Sequence, residues 1–290
     1  MRQTLSEKIL DALNRGKNRL SAEAISRLTA YIESQLLPDQ SFMDKTGRSD
    51  LYYTLFGWML CWVLKIELDT VRMKVYLDHQ DEKNTDLIHY ACLKRCVVVC
   101  KLFTKGKSAA AVQVLRKQQI RAIDQFEQVP NNDVNAPYTQ YIWLSLLEDT
   151  GNKPQDTKQI IASLASYATG DGGYANDTTA TVATTNATVA ALAVSGQLKG
   201  FSPDPALDYL SKLQHRNGGF SATPSSAIPD VLSTATALFL LYCYGVKPLY
   251  DAENFIEAHW LEPGGFAATL ADDKSDIEYC FYGLLALGCV

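Results

Sequence analysis

Hydrophobic positions along the chain alternate between two kinds of segment, one amphipathic and one apolar on nearly every face. In the second half, the amphipathic segments are DTKQIIASLASYA, DPALDYLSKLQ and DAENFIEAHW, and the apolar segments are TTNATVAALAVSG, STATALFLLYCYG and DIEYCFYGLLALG. An amphipathic helix lies at a surface, whereas a helix that is apolar all round is buried. The pattern therefore predicts helix pairs in which the amphipathic helix is outside and the apolar helix is inside.

A glycine-rich turn separates the two helices of each predicted pair. The triplet Gly-Gly-aromatic occurs three times, and its first glycines, Gly172, Gly218 and Gly264, are 46 residues apart in both intervals. A fixed period of this length is typical of repeat architectures, in which each unit buries its apolar face against its neighbours.

The first half repeats this arrangement with weaker turn signals. An outer helix, SAEAISRLTAYIESQLL, is followed by Gln40-Ser41-Phe42 in the position of the triplet and by an inner helix, DLYYTLFGWMLCWVL. Two further pairs are DTVRMKVYLDHQ with DLIHYACLKRCVVVCKLF, and SAAAVQVLRKQQIRAIDQFEQV with APYTQYIWLSLLEDTG. Six pairs predict an all-α, closed ring of helical hairpins without a sheet. We expect one domain over residues 1–290, with an additional amino-terminal helix in residues 1–20.

The turn sequences resemble those of the superfamily that contains prenyltransferase β subunits and squalene cyclases. The segment Gln214-His215-Arg216-Asn217-Gly218-Gly219-Phe220 is similar to the Gln-x-x-x-Gly-aromatic turn of the cyclases and to the Gly-Gly-Phe turn of the β subunits. The resemblance is clearest over residues 160–290 and weaker over residues 38–64. It implies an α/α toroid, an isoprenoid or other apolar ligand, and a helical protein partner like the α subunit of the prenyltransferases.

The catalytic motifs of these families are absent. The zinc ligands of prenyltransferases are an Asp-x-Cys and a later His, but the matching positions here are Asp230-Val231-Leu232, or Ser233-Thr234-Ala235 in another register, and Tyr279. The resemblance therefore implies no zinc of the family type. The loops after the turns at Gly172 and Gly218 also lack the basic residues that hold diphosphate, and the Asp-x-Asp-Asp acid of squalene cyclases is missing.

The two ends of the predicted ring share a signature that makes them the best candidate for a site. Asp50 and Tyr53 are spaced like Asp276 and Tyr279, and each pair begins an inner helix. Closure of the ring would make these helices neighbours, and their positive amino-terminal ends favour anions. The alternative is that both aspartates only cap their helices. Candidate cations for a polar head group lie just upstream: Lys45, Arg48 and Lys274.

Two further clusters have plausible structural explanations. Asp272, Asp273 and Asp276 match an Asp-Asp-x-x-Asp magnesium motif, but they precede a helix, and an acidic loop with a cap explains them better. His89, Cys92, Cys96 and Cys100 share a helical face, yet they extend over ~16 Å and cannot surround one ion. Buried free cysteines commonly pack as small hydrophobes. We therefore expect no cofactor.

Aromatic residues are frequent in the predicted inner helices. If they faced the interior of the ring, they would line a cavity suited to an isoprenoid chain; ordinary core packing is the alternative for each. The candidates for ligand contact are Trp58, Trp62, Tyr141, Tyr242 and Tyr282.

Composition excludes some functions and leaves two open. The net charge of −5 argues against a nucleic-acid partner. Seven cysteines and a polar amino terminus predict a cytoplasmic protein with free thiols. The longest apolar run, residues 51–64, has 14 residues and is too short to span a membrane, which leaves shallow contact with a membrane surface open. The chain is expected to be either a prenyltransferase-like or cyclase-like enzyme, or a toroid that binds a lipid or protein without catalysis.

Overall fold

The computed structural model describes residues 3–83, 85–105, 120, 133–200 and 202–290. Within these residues there are twelve α-helices, a 3-10 turn at Ala165–Tyr167 and two very short strands, β1 (Phe42–Met43) and β2 (Ser49–Asp50). The helices are α1 (Leu5–Arg19), α2 (Ala22–Ser34), α3 (Leu51–Leu64), α4 (Thr70–Asp78), α5 (Leu87–Lys105), α6 (Pro137–Asp149), α7 (Thr157–Leu164), α8 (Thr185–Leu198), α9 (Asp204–Lys212), α10 (Val231–Tyr244), α11 (Glu253–Ala258) and α12 (Ile277–Leu287). The predicted outer helix SAAAVQVLRKQQIRAIDQFEQV lies almost entirely outside the described residues.

Six apolar helices form a closed inner ring. Each contacts the next in the order α3, α5, α6, α8, α10 and α12, and α12 contacts α3. The amphipathic helices α2, α4, α7 and α11 pack outside against α3, α5, α8 and α12. The predicted all-α toroid is therefore confirmed. No helix in the described ranges combines the length and apolarity needed to cross a bilayer.

The repeated turns share one hydrogen-bonding pattern, which includes the weak turn of the first half. Isolated bridges join Leu36 to Phe42, Ala168 to Tyr174, Gln214 to Phe220 and Trp260 to Phe266. In three of these turns the aromatic residue donates its amide hydrogen to a threonine of the following inner helix: Phe42 to Thr54 at 2.9 Å, Tyr174 to Thr188 at 2.9 Å and Phe220 to Thr234 at 2.8 Å. In the fourth, the Phe266 amide bonds to Cys280 instead. The prediction that Gln40-Ser41-Phe42 replaces the triplet is confirmed.

The expectation of no sheet was wrong in one detail. Phe42–Met43 and Ser49–Asp50 pair as an antiparallel ribbon. The loop between them is held by the Asp44 carboxylate, which accepts hydrogen bonds from the amides of Thr46 at 2.7 Å and Arg48 at 3.0 Å. Such local side-chain bonds stabilise a tight turn, and two paired residues are too few to leave a periodic strand signal.

Contacts between neighbouring helix starts show that the inner helices run in one direction. The Thr185 amide, at the start of α8, donates to the Ala222 carbonyl before α10, and the Val231 amide, at the start of α10, donates to the Ala268 carbonyl before α12. Asn176, before α8, similarly accepts from the Tyr138 amide in α6. The amino-terminal ends therefore meet at one opening of the ring, which we call the mouth.

Helix α1 lies across the opposite end of the ring. It contacts α12 and α3 on one side and α6 on the other. The Lys17 ammonium donates to the Val63 carbonyl of α3 at 3.1 Å, and the Arg15 guanidinium donates to the Gly288 carbonyl after α12 at 2.8 Å. Cations on the carbonyl ends of helices are stabilising, because those ends carry partial negative charge. We call this closed end the floor.

Candidate functional site

A cavity of about 180 Å³ occupies the centre of the ring. All six inner helices line it, and Ile9 of α1 contributes to its lining from the floor. Cavities of this kind are the usual position of small-molecule sites, with apolar walls and a few polar groups. The helical arrangement that buries the apolar inner faces thus also encloses the candidate site.

Seven of the residues that line the cavity are aromatic, and four of these carry a hydroxyl group. Two predicted contacts, Tyr141 and Tyr282, are among them. The lining aromatics are Tyr52, Phe56, Tyr138, Tyr141, Phe239, Phe281 and Tyr282. The phenol groups make this wall more polar than binding of a pure hydrocarbon ligand would require.

Three other predicted aromatic contacts do not line the cavity. Trp58 is completely buried, where its ring nitrogen donates to the Gln40 carbonyl at 2.7 Å and its ring contacts Tyr76 of α4. Trp62 packs edge-on against Phe103. Tyr242 is 51% exposed at the floor, with the Arg15 guanidinium 4.2 Å above its ring. The orientation of each helix about its own axis places all three side chains away from the interior. A helix that is apolar on every face does not reveal this orientation in its sequence.

The seam between the first and last inner helices brings predicted residues together at the mouth. Asp276 caps α12 by accepting from the Tyr279 amide at 2.8 Å, and its other oxygen lies 3.2 Å from the Lys45 ammonium. The same ammonium is 5.1 Å from the centre of the Tyr279 ring. The Asp276 side chain is only 14% exposed, so this carboxylate both caps the helix and forms an ion pair.

Asp50 has the same double role on α3. It accepts hydrogen bonds from the amides of Tyr52 and Tyr53 and lies 3.4 Å from Nε2 of His89, whose Nδ1 is 2.8 Å from Asp86. Burial works to raise the pKa of Asp50, but hydrogen bonds from His89 and the two amides hold it below its usual value. The two carboxylates raise the pKa of His89 to about 10, so its imidazolium stays charged at neutral pH.

Tyr53 lies within the electrostatic reach of both capping aspartates. Burial and then the nearby charges of Asp276, Glu278 and Asp50 raise the pKa of its phenol. Tyr53 and Tyr279 meet their aspartates through backbone amides.

Two of the predicted cations remain outside this cluster. Arg48 donates from Nε to Thr46 in its own loop at 2.9 Å. Lys274 is exposed and forms no ion pair with any of the residues that the structure describes. Of the three candidates, only Lys45 reaches a capping carboxylate.

A carboxyl group that sequence reasoning missed lies beside this seam. Glu278 of α12 accepts a hydrogen bond from the Tyr52 hydroxyl at 2.7 Å, and Tyr52 lines the cavity. Burial raises the pKa of Glu278 despite this bond, and the Asp276 charge raises it further while Lys45 opposes the effect. The sequence does not single out Glu278, because an acidic residue in the first turn of a helix is common and is explained by its favourable interaction with the helix dipole.

A second missed residue is a buried arginine at the floor. Arg95 lines the cavity from α5, and its Nε donates to the Asp149 carboxylate at 2.8 Å. Its Nη2 donates to the Ser6 hydroxyl of α1 at 2.9 Å. A charged residue within the apolar run HYACLKRCVVVC is the signal that could have indicated it, because an unpaired charge is rarely buried.

The mouth does not fit a metal ion of the prenyltransferase type. Asp230 caps α10 by accepting from the Ser233 amide and hydroxyl, both at 2.7 Å, and Asp272 is used by the Thr269 amide and hydroxyl in its own turn. Across the described ranges, no three His, Cys, Asp or Glu side chains are grouped to hold a metal. His89 is held between two carboxylates, while Cys92, Cys96 and Cys100 are buried in the core.

Comparison with solved structures finds the same fold. A chain of Candida albicans protein geranylgeranyltransferase-I complexed with GGPP is similar at 14% identity and a TM-score of 0.56, over 98% of this chain and 90% of that chain. The type II terpene cyclase MstE from Scytonema in complex with geranylgeranyl dihydroxybenzoate is similar at 12% identity and a TM-score of 0.51, over 96% and 97%. No curated protein matches the sequence.

A family match covers more than half of the chain. Residues 122–289 match the prenyltransferase alpha-alpha toroid domain. This range contains the three Gly-Gly-aromatic turns and, within the described residues, four of the six inner helices. The ring of helical hairpins, closed by contact between α12 and α3, agrees with that assignment. The chain therefore belongs to the prenyltransferase alpha-alpha toroid family.

Proposed function

We propose that this protein binds an isoprenoid or similar apolar chain in its central cavity, with the chain inserted from the mouth. The observation that carries the proposal is the cavity at the centre of six helices, which is lined in part by aromatic residues. The fold also occurs in two structures that hold isoprenoid ligands, one with GGPP and one with geranylgeranyl dihydroxybenzoate. Helix α1 lies across the floor, which is why we place entry at the mouth.

The cavity volume limits how much of a chain can be enclosed. At about 180 Å³ it is close to the ~150 Å³ cavity that accepts a benzene molecule. On that scale we expect it to enclose on the order of one or two isoprene units, with the remainder of a longer chain at the mouth. The Lys45 ammonium is already paired with Asp276, which favours a neutral or weakly charged head group over a diphosphate.

Binding is tested by filling the cavity. Ala190 of α8 lines it, so Ala190→Leu should occupy part of its volume and weaken binding of a fluorescent farnesyl analogue at least tenfold, while the fold is retained. Ala162→Leu is the matched control, because Ala162 is exposed on the outer helix α7. Equal binding by both variants, or no saturable binding by the wild-type protein, would contradict the proposal.

Glu278 is the observation that favours chemistry in addition to binding. Glu278 has a raised pKa and accepts a hydrogen bond from Tyr52, which lines the cavity, so a proton could reach a bound substrate through the Tyr52 hydroxyl. The assay is incubation of a polyene such as geranylgeraniol with the wild-type protein and with Glu278→Gln, followed by mass spectrometry of the products. A product formed by the wild type and lost in a variant that still binds the chain supports catalysis. Unchanged polyene in both, with binding intact, supports a binding protein.

A further inference from the structure

Arg95 gives the floor of the cavity a polar character that a purely apolar ligand would not use. We propose that the cavity binds ligands whose innermost end carries a hydrogen-bond acceptor oxygen, such as a carbonyl, which receives a hydrogen bond from the Arg95 guanidinium. This inference rests on the proposed function, since both place the ligand in the same cavity. It adds a second recognition point, at the opposite end from Lys45 and Asp276.

The guanidinium is fixed on one side only. Asp149 and Ser6 take Nε and Nη2, and the Ser6 hydroxyl donates in turn to Asp149 at 2.7 Å, so the three side chains form a closed hydrogen-bonded triangle. Among the residues that the structure describes, none accepts a hydrogen bond from Nη1, the third nitrogen. A guanidinium has five N–H donors in a rigid planar fork, so the remaining donors have a fixed direction.

The unused donors belong to a residue whose helical face is turned to the cavity. Ile88, Cys92 and Arg95 are three or four residues apart on α5, and all three line the cavity. The Arg95 side chain is only 12% exposed, and the Asp149 side chain only 9%, so water competes weakly for these groups. A buried donor without a partner costs free energy, which a ligand oxygen would recover.

Nearby phenols are consistent with an oxygen-bearing ligand. Tyr138 and Tyr141 line the same cavity, and both lie within the electrostatic influence of the Arg95 charge. Phenylalanine would give a similar apolar wall without a hydroxyl group. The cavity wall is thus mainly apolar but has a charged donor, Arg95, towards the floor, which matches a chain with a functional group at its buried end.

The charge of Arg95 is balanced by Asp149, so an uncharged acceptor suits Arg95 better than a second anion. A carbonyl oxygen accepts two hydrogen bonds and donates none.

Two benzene-sized probes separate this preference from simple apolar binding. Acetophenone carries a carbonyl group, and cumene has nearly the same shape without it.

The experiment measures dissociation constants of both probes by calorimetry, for the wild type and for the double variant Arg95→Met/Asp149→Leu. Replacing both members of a buried ion pair with apolar residues of similar size commonly preserves stability. We expect the ratio of the cumene constant to the acetophenone constant to fall about tenfold in the double variant, the value of one hydrogen bond to a charged group. Arg95→Lys provides a second variant that keeps the charge but removes the planar fork.

The outcomes distinguish this inference from the proposed function. Binding of both probes with an unchanged ratio would overturn the acceptor preference and leave apolar binding intact, whereas failure of both probes to bind the wild type would overturn both. If neither variant folds, the infrared carbonyl stretch of acetophenone bound to the wild type decides. A shift to lower frequency than in an apolar solvent supports the hydrogen bond, and an unshifted band contradicts it.

Discussion

The mouth and the floor are opposite ends of the same inner helices, and they differ in charge and in closure. At the mouth, Asp50 and Asp276 accept hydrogen bonds from the first amides of α3 and α12. At the floor, Lys17 and Arg15 of α1 donate to the last carbonyls. Both arrangements follow the helix dipole, whose amino end is positive and whose carboxyl end is negative. The comparison shows that, because all inner helices run in one direction, carboxylates collect at the mouth. Cationic side chains of α1 collect at the floor, where they help to close the ring.

Close backbone contact, rather than charge, should supply most of the free energy that holds α1 against the floor. Gly16 of α1 lies so close to α12 that a Cβ atom there would be 2.0 Å from the Leu284 carbonyl oxygen. We expect Gly16→Ala to displace α1 and lower the free energy of unfolding by about 3 kcal/mol, because overpacking against rigid backbone is costly. Urea unfolding measures the loss. Increased access of a solvent-borne thiol reagent to the buried Cys289 would report the displacement.

The matched control is Gly170→Ala, because a Cβ atom there meets nothing within 4 Å and the backbone has no left-handed strain. We expect a change within about 0.5 kcal/mol. A cost for Gly16→Ala no larger than that of the control would show that α1 is held by its charged contacts instead.

The stability of the fold should depend on pH through the protonation of His89 at the mouth. Its pKa in the folded protein is about 10, above its ordinary value of 6.5. Its stabilising contribution is therefore complete below pH 6.5 and is lost as the pH rises towards 10. Because His89 is partly exposed, solvent screening reduces the expected effect to about 1–2 kcal/mol. Urea unfolding at pH 6 and pH 9.5 should show a smaller pH-dependent loss for His89→Gln than for the wild type.

His79→Gln is the control for this measurement, since the exposed His79 ring bonds the Val75 carbonyl of α4 and forms no ion pair with a residue in the described ranges. It should retain the pH dependence of the wild type. An identical pH dependence in His89→Gln and the wild type would mean that the Asp50–His89–Asp86 cluster does not stabilise the mouth.

Substitution of Asp276 separates capping from ion pairing. Asp276→Asn keeps a side-chain oxygen for the Tyr279 amide but removes the charge beside Lys45, so we expect a loss of a few tenths of a kcal/mol. Asp276→Ala removes both and should cost about 1 kcal/mol. Thermal unfolding monitored by circular dichroism measures both losses.

The repeat supplies an internal control for Asp276. Asp230 caps α10 in the same way, through the Ser233 amide at 2.7 Å, but the described residues give it no ion pair. Asp230→Asn should therefore be closer to neutral than Asp276→Asn. The reverse order would contradict a stabilising role for Lys45.

Chelation of metal ions should have the smallest effect on stability. The Cys and His positions of the family's zinc site correspond here to Leu232, or Ala235 in the other register, and to Tyr279, and leucine and alanine are not metal ligands. We predict that EDTA leaves the melting temperature unchanged and that protein purified without added zinc contains less than stoichiometric metal by mass spectrometry. A fall of several degrees on chelation would contradict this prediction.

The repeated elements were the most predictable part of this protein. The 46-residue spacing of the Gly-Gly-aromatic turns, and the alternation of amphipathic and apolar helices, are local patterns that lead directly to a ring of hairpins. Even the weak turn at Phe42 was found, because the helices on either side of it keep the pattern. The small ribbon at Phe42–Met43 escaped, since it depends on bonds to Asp44 within one loop.

The candidate site was only partly predictable. The shared Asp-x-x-Tyr spacing located the seam, but it did not show that His89 and Lys45 pair with the two aspartates. Helices that are apolar on every face do not reveal which side is turned inward, so Trp58 and Trp62 could not be distinguished from Tyr141 and Tyr282.

The sequence by itself determined the helical repeat and the amino-terminal caps, because periodicity and capping depend on neighbours within a few residues. Only the tertiary structure decided the rest. It placed α1 across the floor and joined Arg95 of α5 to Asp149 of α6 and Ser6 of α1, residues that are 54 and 89 positions away. Closure of the ring made Tyr52 and Glu278 hydrogen-bonded neighbours, although 226 positions separate them. Such contacts depend on helix rotation and packing across the whole chain, and no local pattern encodes either.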